Sequence, residues 1–229
     1  MRKNGLIALG VLLVLFSFTS CKSNPEKGLL ERYFNAITMK DVQTMSSMAM
    51  DPVTIEAKSW KITKVGEEKI EPAGLPGLNA SEIDLKKKMD AHTPVVLDAK
   101  DVMDNAKDDL TSARTGAARA AAQAKVTTAQ KKYDEEYALH NDLKKGYNEA
   151  KAAAQKEEDI TIFSLGAGQI TNVRDLKGEV HSKDVEIQTV GLDGSTKNYK
   201  ILMKMYDLKD EAAGVTRRGR WVIIKFEQA

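Results

Sequence analysis

The sequence predicts an α+β fold: a curved antiparallel sheet packed by N-terminal helices (cone-like), interrupted by a long antiparallel helical hairpin. Three observations predict it. Residues 24–66 read as two short amphipathic helices followed by a strand. Residues 160–229 carry alternating apolar runs separated by glycine turns. Between them, residues 95–158 hold 15 alanines and no proline, phenylalanine, tryptophan or isoleucine. That composition favours helix and offers little to a sheet.

Taking the elements in order, Asn24 stands where a helix cap belongs and Pro25 fills the first turn, where a missing N–H costs nothing. Leu29, Leu30, Tyr33, Phe34 and Ile37 then recur on one helical face. Asp41 caps a second helix carrying Val42, Met45, Met48 and Met50, which Asp51-Pro52 stops. In the strand that follows, Val53, Ile55 and Ala57 alternate, and Trp60 and Ile62 alternate in the opposite phase. The switch at Lys58-Ser59 predicts a β-bulge. Residues 67–79 hold Pro72, Gly74, Pro76 and Gly77 and read as a linker.

The helical region spans residues 80–159. Ser81 and Asp84 have the spacing of a capping box for a short helix through Met89, and Thr93-Pro94 breaks it. Beyond the break, Ala99, Met103, Ala106, Leu110, Ala113, Ala117, Ala120 and Ala124 step by four and three, a heptad seam. A second seam fits Val126, Ala129, Tyr133, His140, Leu143, Tyr147, Ala150 and Ala154. The two fall out of phase near Lys125. Arms over residues 94–124 and 126–158, each ~45 Å long, would pair antiparallel. Gly116 is the rival tip, because glycine ends helices, and a single rod of ~95 Å is the third arrangement. Alanine lets the backbones approach but buries little apolar area, so the hairpin alone is marginal.

The last region opens with a strand at Ile160, Ile162, Phe163 and Leu165, interrupted by Gly166 and Gly168. Residues 180–190 and 199–208 form strands joined across Gly191-Leu192-Asp193-Gly194, a hairpin signal. Tyr199, Ile201, Met203 and Met205 face one way, and Leu202, Tyr206 and Leu208 the other. Arg217-Arg218-Gly219-Arg220 reads as a basic loop. Trp221 to Phe226 form a last strand, apolar on both faces and so central or covered.

The N-terminus has three parts: a basic start at Arg2 and Lys3, an apolar run over residues 5–18, and the close Phe18-Thr19-Ser20-Cys21. The run is ~21 Å as a helix, short for a ~30 Å hydrocarbon core and suited to a secretory signal. It resembles a bacterial lipoprotein signal, in which an aliphatic residue and two small residues precede an acceptor cysteine. The match lies at Thr19, Ser20 and Cys21, with Phe18 in place of the usual leucine. The resemblance implies cleavage between Ser20 and Cys21 and a diacylglycerol on the Cys21 thiol. The acyl chains would then hold the domain at the membrane of the bacterial cell envelope. Lys22, which is not acidic, would favour the outer membrane, facing the periplasm, in a diderm organism. An incidental cysteine beside an ordinary cleavage site, or an uncleaved anchor, are the rival readings.

The domain plan is therefore a signal over 1–20, a lipid-anchored linker over 21–24, an α+β domain from 25–66 plus 160–229, and the linker and coiled insertion over 67–159. The order helix, helix, strand, then antiparallel strands ending at Gly219-Arg220-Trp221, resembles the nuclear-transport-factor-like cone, which includes ketosteroid-isomerase relatives. Residues 30–37, 40–52 and 219–227 carry that resemblance, over about 110 residues. The family's opening helices lie across a curved sheet; a coiled insertion is not typical of it.

Composition excludes several function classes. The 229 residues carry 35 basic and 33 acidic side chains. Two of the basic residues and none of the acidic lie in the first 20, so the remainder is balanced and nothing supports nucleic-acid binding. One cysteine excludes an internal disulfide framework. His92, His140 and His181 are far apart in sequence, and no HExxH or nucleophile-elbow motif appears. His140 falls on the helical seam, and His181 alternates in a strand as a surface residue. Gly166-x-Gly168 lacks a following helix and reads as a turn rather than a phosphate loop. Asp108-Asp109, Asp134-Glu135-Glu136 and Glu157-Glu158-Asp159 read as solvated flanks with lysine partners. Met45, Met48, Met50, Met203 and Met205 read as core.

No catalytic residue, metal site or cofactor is expected. The expected function is an exported, membrane-anchored binding or scaffolding module, with the helical insertion meeting an envelope protein or a second copy of itself. A small-ligand carrier would instead need an apolar cavity inside the cone. An isomerase-like enzyme would need a buried Asp, Glu or Tyr with a displaced pKa there.

Overall fold

A computed structural model describes residues 24–166, 170, 172–211 and 213–229. Cys21, Ser20 and the leader lie outside the described residues, as do Gly168 and its two neighbours. The fold is α+β, with a strongly curled antiparallel half-barrel sheet and a long helical hairpin.

Two helices open it, α1 (Pro25–Met39) and α2 (Val42–Ser46). Asn24 occupies the α1 cap position but contributes its carbonyl, not its side chain, accepting from Lys27 N–H at 3.1 Å. Lys40 ends α1 in the left-handed region at φ 56°. The Asp41 carboxylate accepts from Thr44 N–H at 3.0 Å, the cap that its position predicts, and from the Thr44 hydroxyl; the hydroxyl first and the N–H second lower its pKa.

The sheet is built on a long hairpin, β3 (Lys177–Val190) and β4 (Thr196–Asp210), registered from Lys177↔Lys209 to Val190↔Thr196. Two strands share the free edge of β3: β1 (Ser59–Val65) along its end and β2 (Lys69–Pro72) along its start. Two share the free edge of β4: β5 (Val215–Arg218) and β6 (Val222–Gln228). Every section of the hairpin is thus flanked on both sides, but by different strands at its two ends.

That division gives two cores. In one, Leu30, Tyr33 and Phe34 of α1 meet Val185, Ile187, Ile201, Met203 and Ile223 of the sheet. In the other, Val180, Tyr206 and Leu208 meet Leu75, Ile160 and Leu176. Odd and even positions of β4 point to opposite faces. The two faces are those the alternation assigns, and the buried one changes between Met205 and Tyr206, leaving Leu202 only half-buried. Tyr33, Met45, Ile201 and Met203 fill the interior under α1. Of the methionine set, Met45, Met48, Met203 and Met205 are buried and Met50 packs partly buried against the second core.

Several expected boundaries need correction. Residues 53–57 are not a strand: the Tyr33 hydroxyl accepts from Val53 N–H at 2.7 Å and donates to its carbonyl at 3.0 Å, replacing a ladder partner. Ile55 still packs into the first core. The bulge lies between Ile62 and Lys64, not at Lys58-Ser59. The expected linker over 67–79 contains β2 and the start of α3 (Leu75–Ser112). Pro72 fits because β2 is an edge strand, and Pro76 because it falls in the first turn of a helix.

Thr93-Pro94 does not break α3. Pro94 and Asp90, whose carbonyl loses its partner, are both exposed, and Thr93 Oγ1 donates to Met89 O at 3.1 Å. Ser81 is accordingly an interior helical residue, not a cap. The turn is at residues 113–115, beside Gly116 rather than Lys125, and there is a hairpin rather than a single rod. α4 (Gly116–Leu165) is capped by Thr115, whose hydroxyl accepts from Ala118 N–H at 3.2 Å. The expected strand at Ile160–Leu165 is the last turns of α4, ended by Gly166 at φ 59°. Arg217 and Arg218 lie in β5, not in a loop.

Candidate functional site

The largest feature without a place in the half-barrel is the hairpin: α3 is about 57 Å long and α4 about 75 Å. Its packing follows from a heptad pattern longer than the one expected. On α3 the inward positions run Glu82, Leu85, Met89, His92, Val96, Ala99, Met103, Ala106 and Leu110, straight through the Pro94 region. On α4 they run from Ala122 through Val126, Ala129, Tyr133 and Glu136 to His140, and on through Leu143, Tyr147, Ala150 and Ala154. Ala117, Ala120 and Ala124 are exposed, so the first seam does not continue past the turn. Met103, Ala106 and Ala129 form the small apolar core near the tip, with Val126 and Tyr133 against it.

Midway along the arm the seam turns polar. His92 Nε2 lies 2.9 Å from Glu136 Oε2, and the His92 and His140 rings stack with centroids 6.0 Å apart. The Nδ1 atoms of both histidines are buried with no hydrogen-bond partner. His140 is on the seam as expected, and its ring stacks on that of His92. Among the described residues no group of three or more His, Cys, Asp or Glu is arranged to hold a metal ion.

Charge is divided between the arms toward the tip. Residues 95–112 carry five acids and two bases, and residues 113–132 carry five bases and no acid. Asp109 and Lys125 bridge the arms at 3.4 Å. Exposed pairs of this kind contribute little individually, but the imbalance aligns α3 against α4.

The root is where the hairpin becomes part of the domain. The α4 seam continues from Ala154 to Glu157, Thr161 and Ser164, and at Glu157 its partner changes from α3 to the sheet. Tyr206 Oη donates to Glu157 Oε1 at 2.5 Å, and Lys204 Nζ donates to Glu157 Oε2 at 3.2 Å. Burial, reinforced by the Glu157 carboxylate, drives the Tyr206 pKa strongly upward. Ser164 Oγ donates to Arg220 O at 2.8 Å and accepts from Tyr206 N–H at 3.3 Å. Arg220 N–H donates to Ser164 O at 2.8 Å.

Arg174, in the 3-10 turn Val173–Asp175, locks the two arms together. Its Nε donates to Glu158 of α4 at 2.8 Å and its Nη1 to Glu82 of α3 at 2.7 Å. Its Nη2 reaches Gln155 at 3.3 Å. The planar guanidinium suits this fork, and a lysine would not reproduce it. Glu157 and Glu158 are therefore structural partners, not the solvated flank their run suggests; Asp134 and Glu135 do lie exposed.

At the opposite face of the sheet a second polar cluster sits under the start of α1. Lys183 Nζ lies 3.6 Å from the buried Glu26 and 3.1 Å from Glu68, with its charge 5.2 Å from the Trp221 ring centre. His181 Nδ1 meets the other Glu68 oxygen at 2.7 Å. The His181 hydrogen bond holds the Glu68 pKa below the usual carboxylate range, with Lys183 adding to it. His181 is thus mostly buried rather than a surface residue, at 13% side-chain exposure. The arrangement can fix the orientation of an imidazole and sets one lysine charge between two carboxylates. Sequence reasoning missed it, because its members come from three separated segments and each alone resembles a surface charge.

No helix among the described residues is long and apolar enough to cross a membrane. No family model, curated protein or solved structure matches the chain.

Proposed function

We propose that the chain is an exported lipoprotein, tethered by acyl chains on Cys21, that presents its helical hairpin to a protein partner in the bacterial cell envelope. The observation that carries the binding role is the continuous α4 seam, whose inward positions serve the hairpin up to Ala154 and the sheet from Glu157 to Ser164. Together with the Arg174 fork it makes the hairpin a braced arm, suited to holding a partner at a fixed distance and angle. Val95, Leu97, Val102, Tyr137 and Leu139 are exposed along that arm, apolar contacts of the kind a partner helix covers. The leader sequence supports the anchor, and α1 begins only four residues after Cys21. The likeness of the half-barrel to the nuclear-transport-factor-like cone belongs to the same proposal. No catalytic role is proposed for any residue.

The test excises the outer arm, residues 95–139, which carries all five of these contacts, and joins the stubs with a short turn, keeping Arg174 and its partners. Cross-linking and pull-down from native membranes then compare the two proteins. Loss of partners with an unchanged melting profile of the half-barrel supports the reading, and partners retained without the outer arm overturn it. Intact-mass analysis of the N-terminal peptide tests the Cys21 modification separately.

A further inference from the structure

A groove of about 680 Å³ lies at the rim of the half-barrel, between the first turns of α1, α2 and the link into β6. Its volume is within the range of small-molecule sites. Leu29, Met48, Met205 and Trp221 supply apolar wall, and Arg32 and Arg220 supply charge. No acidic residue lines it.

The two arginines have no internal anion. Arg32 Nε donates only to Gly28 O in its own helix, at 3.3 Å. The Arg220 guanidinium lies 5.4 Å from the Phe163 ring centre. Neither has an ion-pair partner among the described residues, and the remaining residues contain no Asp or Glu. Glu26 of the first turn of α1 and Glu68 face Lys183 instead, and Glu31, next to Arg32 in sequence, pairs with Lys27. Two guanidiniums on an apolar groove with no carboxylate form a surface complementary to an anion with a hydrocarbon tail.

We infer that this groove binds an acyl chain bearing an anionic head group, with Arg32 and Arg220 holding the head and Leu29, Met48, Met205 and Trp221 covering the chain. The groove's chemistry stands without the Cys21 anchor. If the anchor holds, four residues of extended chain allow at most ~14 Å between Cys21 and Pro25, which lines the groove, so membrane lipids are the local source.

The chain has two tryptophans, which makes the test direct. Trp60 is stacked on Phe34 at 4.6 Å, away from the groove, and Trp60→Phe leaves Trp221 as the sole reporter. The full chain carrying that change is placed in nanodiscs of phosphatidylcholine and titrated with a fatty acid brominated along its chain. Saturable quenching is expected, at least tenfold weaker in the Arg32→Gln/Arg220→Gln variant and lacking saturation with the uncharged methyl ester. Gly28→Leu is the second variant. A Cβ there meets nothing within 4 Å and leucine improves helix propensity, so the backbone of α1 is kept while the rest of the side chain extends into the groove. It too should weaken quenching at least tenfold. Competition by lysophosphatidylglycerol would show that a phosphate head is accepted, and its failure beside intact fatty-acid binding would restrict the site to carboxylates; both support the groove. Equal quenching by acid and ester, or quenching unchanged in both variants, overturns it. Saturable quenching in a chain whose Cys21 is unmodified would keep the groove and remove the anchor.

Discussion

Tyr206 and Glu157 meet at 2.5 Å where the helical arm enters the domain, a buried phenol donating to a carboxylate that Lys204 also holds. Tyr206 belongs to β4 and Glu157 to the α4 seam, so this hydrogen bond is among those that join the two halves of the molecule. Hydrogen bonds to charged groups contribute roughly 1.5–3 kcal/mol when buried. Tyr206→Phe should therefore lower stability by about 2 kcal/mol, measured by urea unfolding at neutral pH.

The same pair sets an alkaline limit. The folded Tyr206 pKa is raised above its ordinary value. Above about pH 10 the unfolded chain loses the phenolic proton and the folded chain keeps it, so stability falls as pH rises. Tyr206→Phe should flatten this decline. It should not abolish it, because burial raises the Tyr33 pKa as well. A chemical-denaturation series across pH 9–11 checks the slope, and parallel curves for wild type and variant would count against the assignment.

Arg174 should behave as a brace rather than a surface charge. Arg174→Ala leaves Glu82 and Glu158 facing each other with side chains only 14% and 19% exposed. The expected loss is about 2–3 kcal/mol, with the fork's geometry only partly replaced in Arg174→Lys. Hydrogen exchange should accelerate first in the opening turns of α3, while β3 and β4 stay protected.

Much of the fold is legible in the sequence because single-faced elements repeat a period. α1 and the coiled arm do so, and the β3–β4 hairpin keeps its alternation on each side of the switch between Met205 and Tyr206. The misread elements are those with two buried faces or none. Ile160 packs into the second core and the polar Thr161 and Ser164 turn in to the sheet, leaving Ile162 exposed, so the end of α4 has no polar face toward solvent and resembles a strand. Pro94 sits on an exposed face where a helix tolerates it, and proline alone does not report which face it is on. Residues 53–57 have a strand's alternation, but both backbone hydrogen bonds of Val53 go to the Tyr33 hydroxyl, a long-range partner that periodicity cannot reveal. The root and the Lys183 cluster are invisible for the same reason: Arg174 meets Glu82 across 92 positions of sequence.

Gly219 illustrates a close approach that only the folded chain shows. Its φ is not in the left-handed region, but a Cβ would stand against the Ser164 hydroxyl and within 3.0 Å of the Ser164 carbonyl oxygen. Both groups are hydrogen-bonded to the residues around Arg220 and cannot retreat independently. Gly219→Ala should push the end of α4 off the sheet, at a cost of about 1–3 kcal/mol. Adding Ser164→Ala removes the hydroxyl but not the carbonyl contact, so the double variant should recover only part of the loss in thermal melts.

Glu68 sets the acid limit. Its pKa is lowered, first by the His181 hydrogen bond and then by Lys183. Just below the ordinary carboxylate value the unfolded chain takes up a proton that the folded chain refuses, so stability is present above about pH 4.3 and is lost as pH falls through the lower folded value. Glu68→Gln cannot ionise and should flatten that limb, with a fluorescence readout from Trp221, which Lys183 faces at 5.2 Å. Lys183→Met separates the two causes. It removes the lesser one and leaves the His181 contact, so a smaller share of the acid dependence should disappear. An acid limb left unchanged by Glu68→Gln would place the dependence on other carboxylates and remove Glu68 from the account.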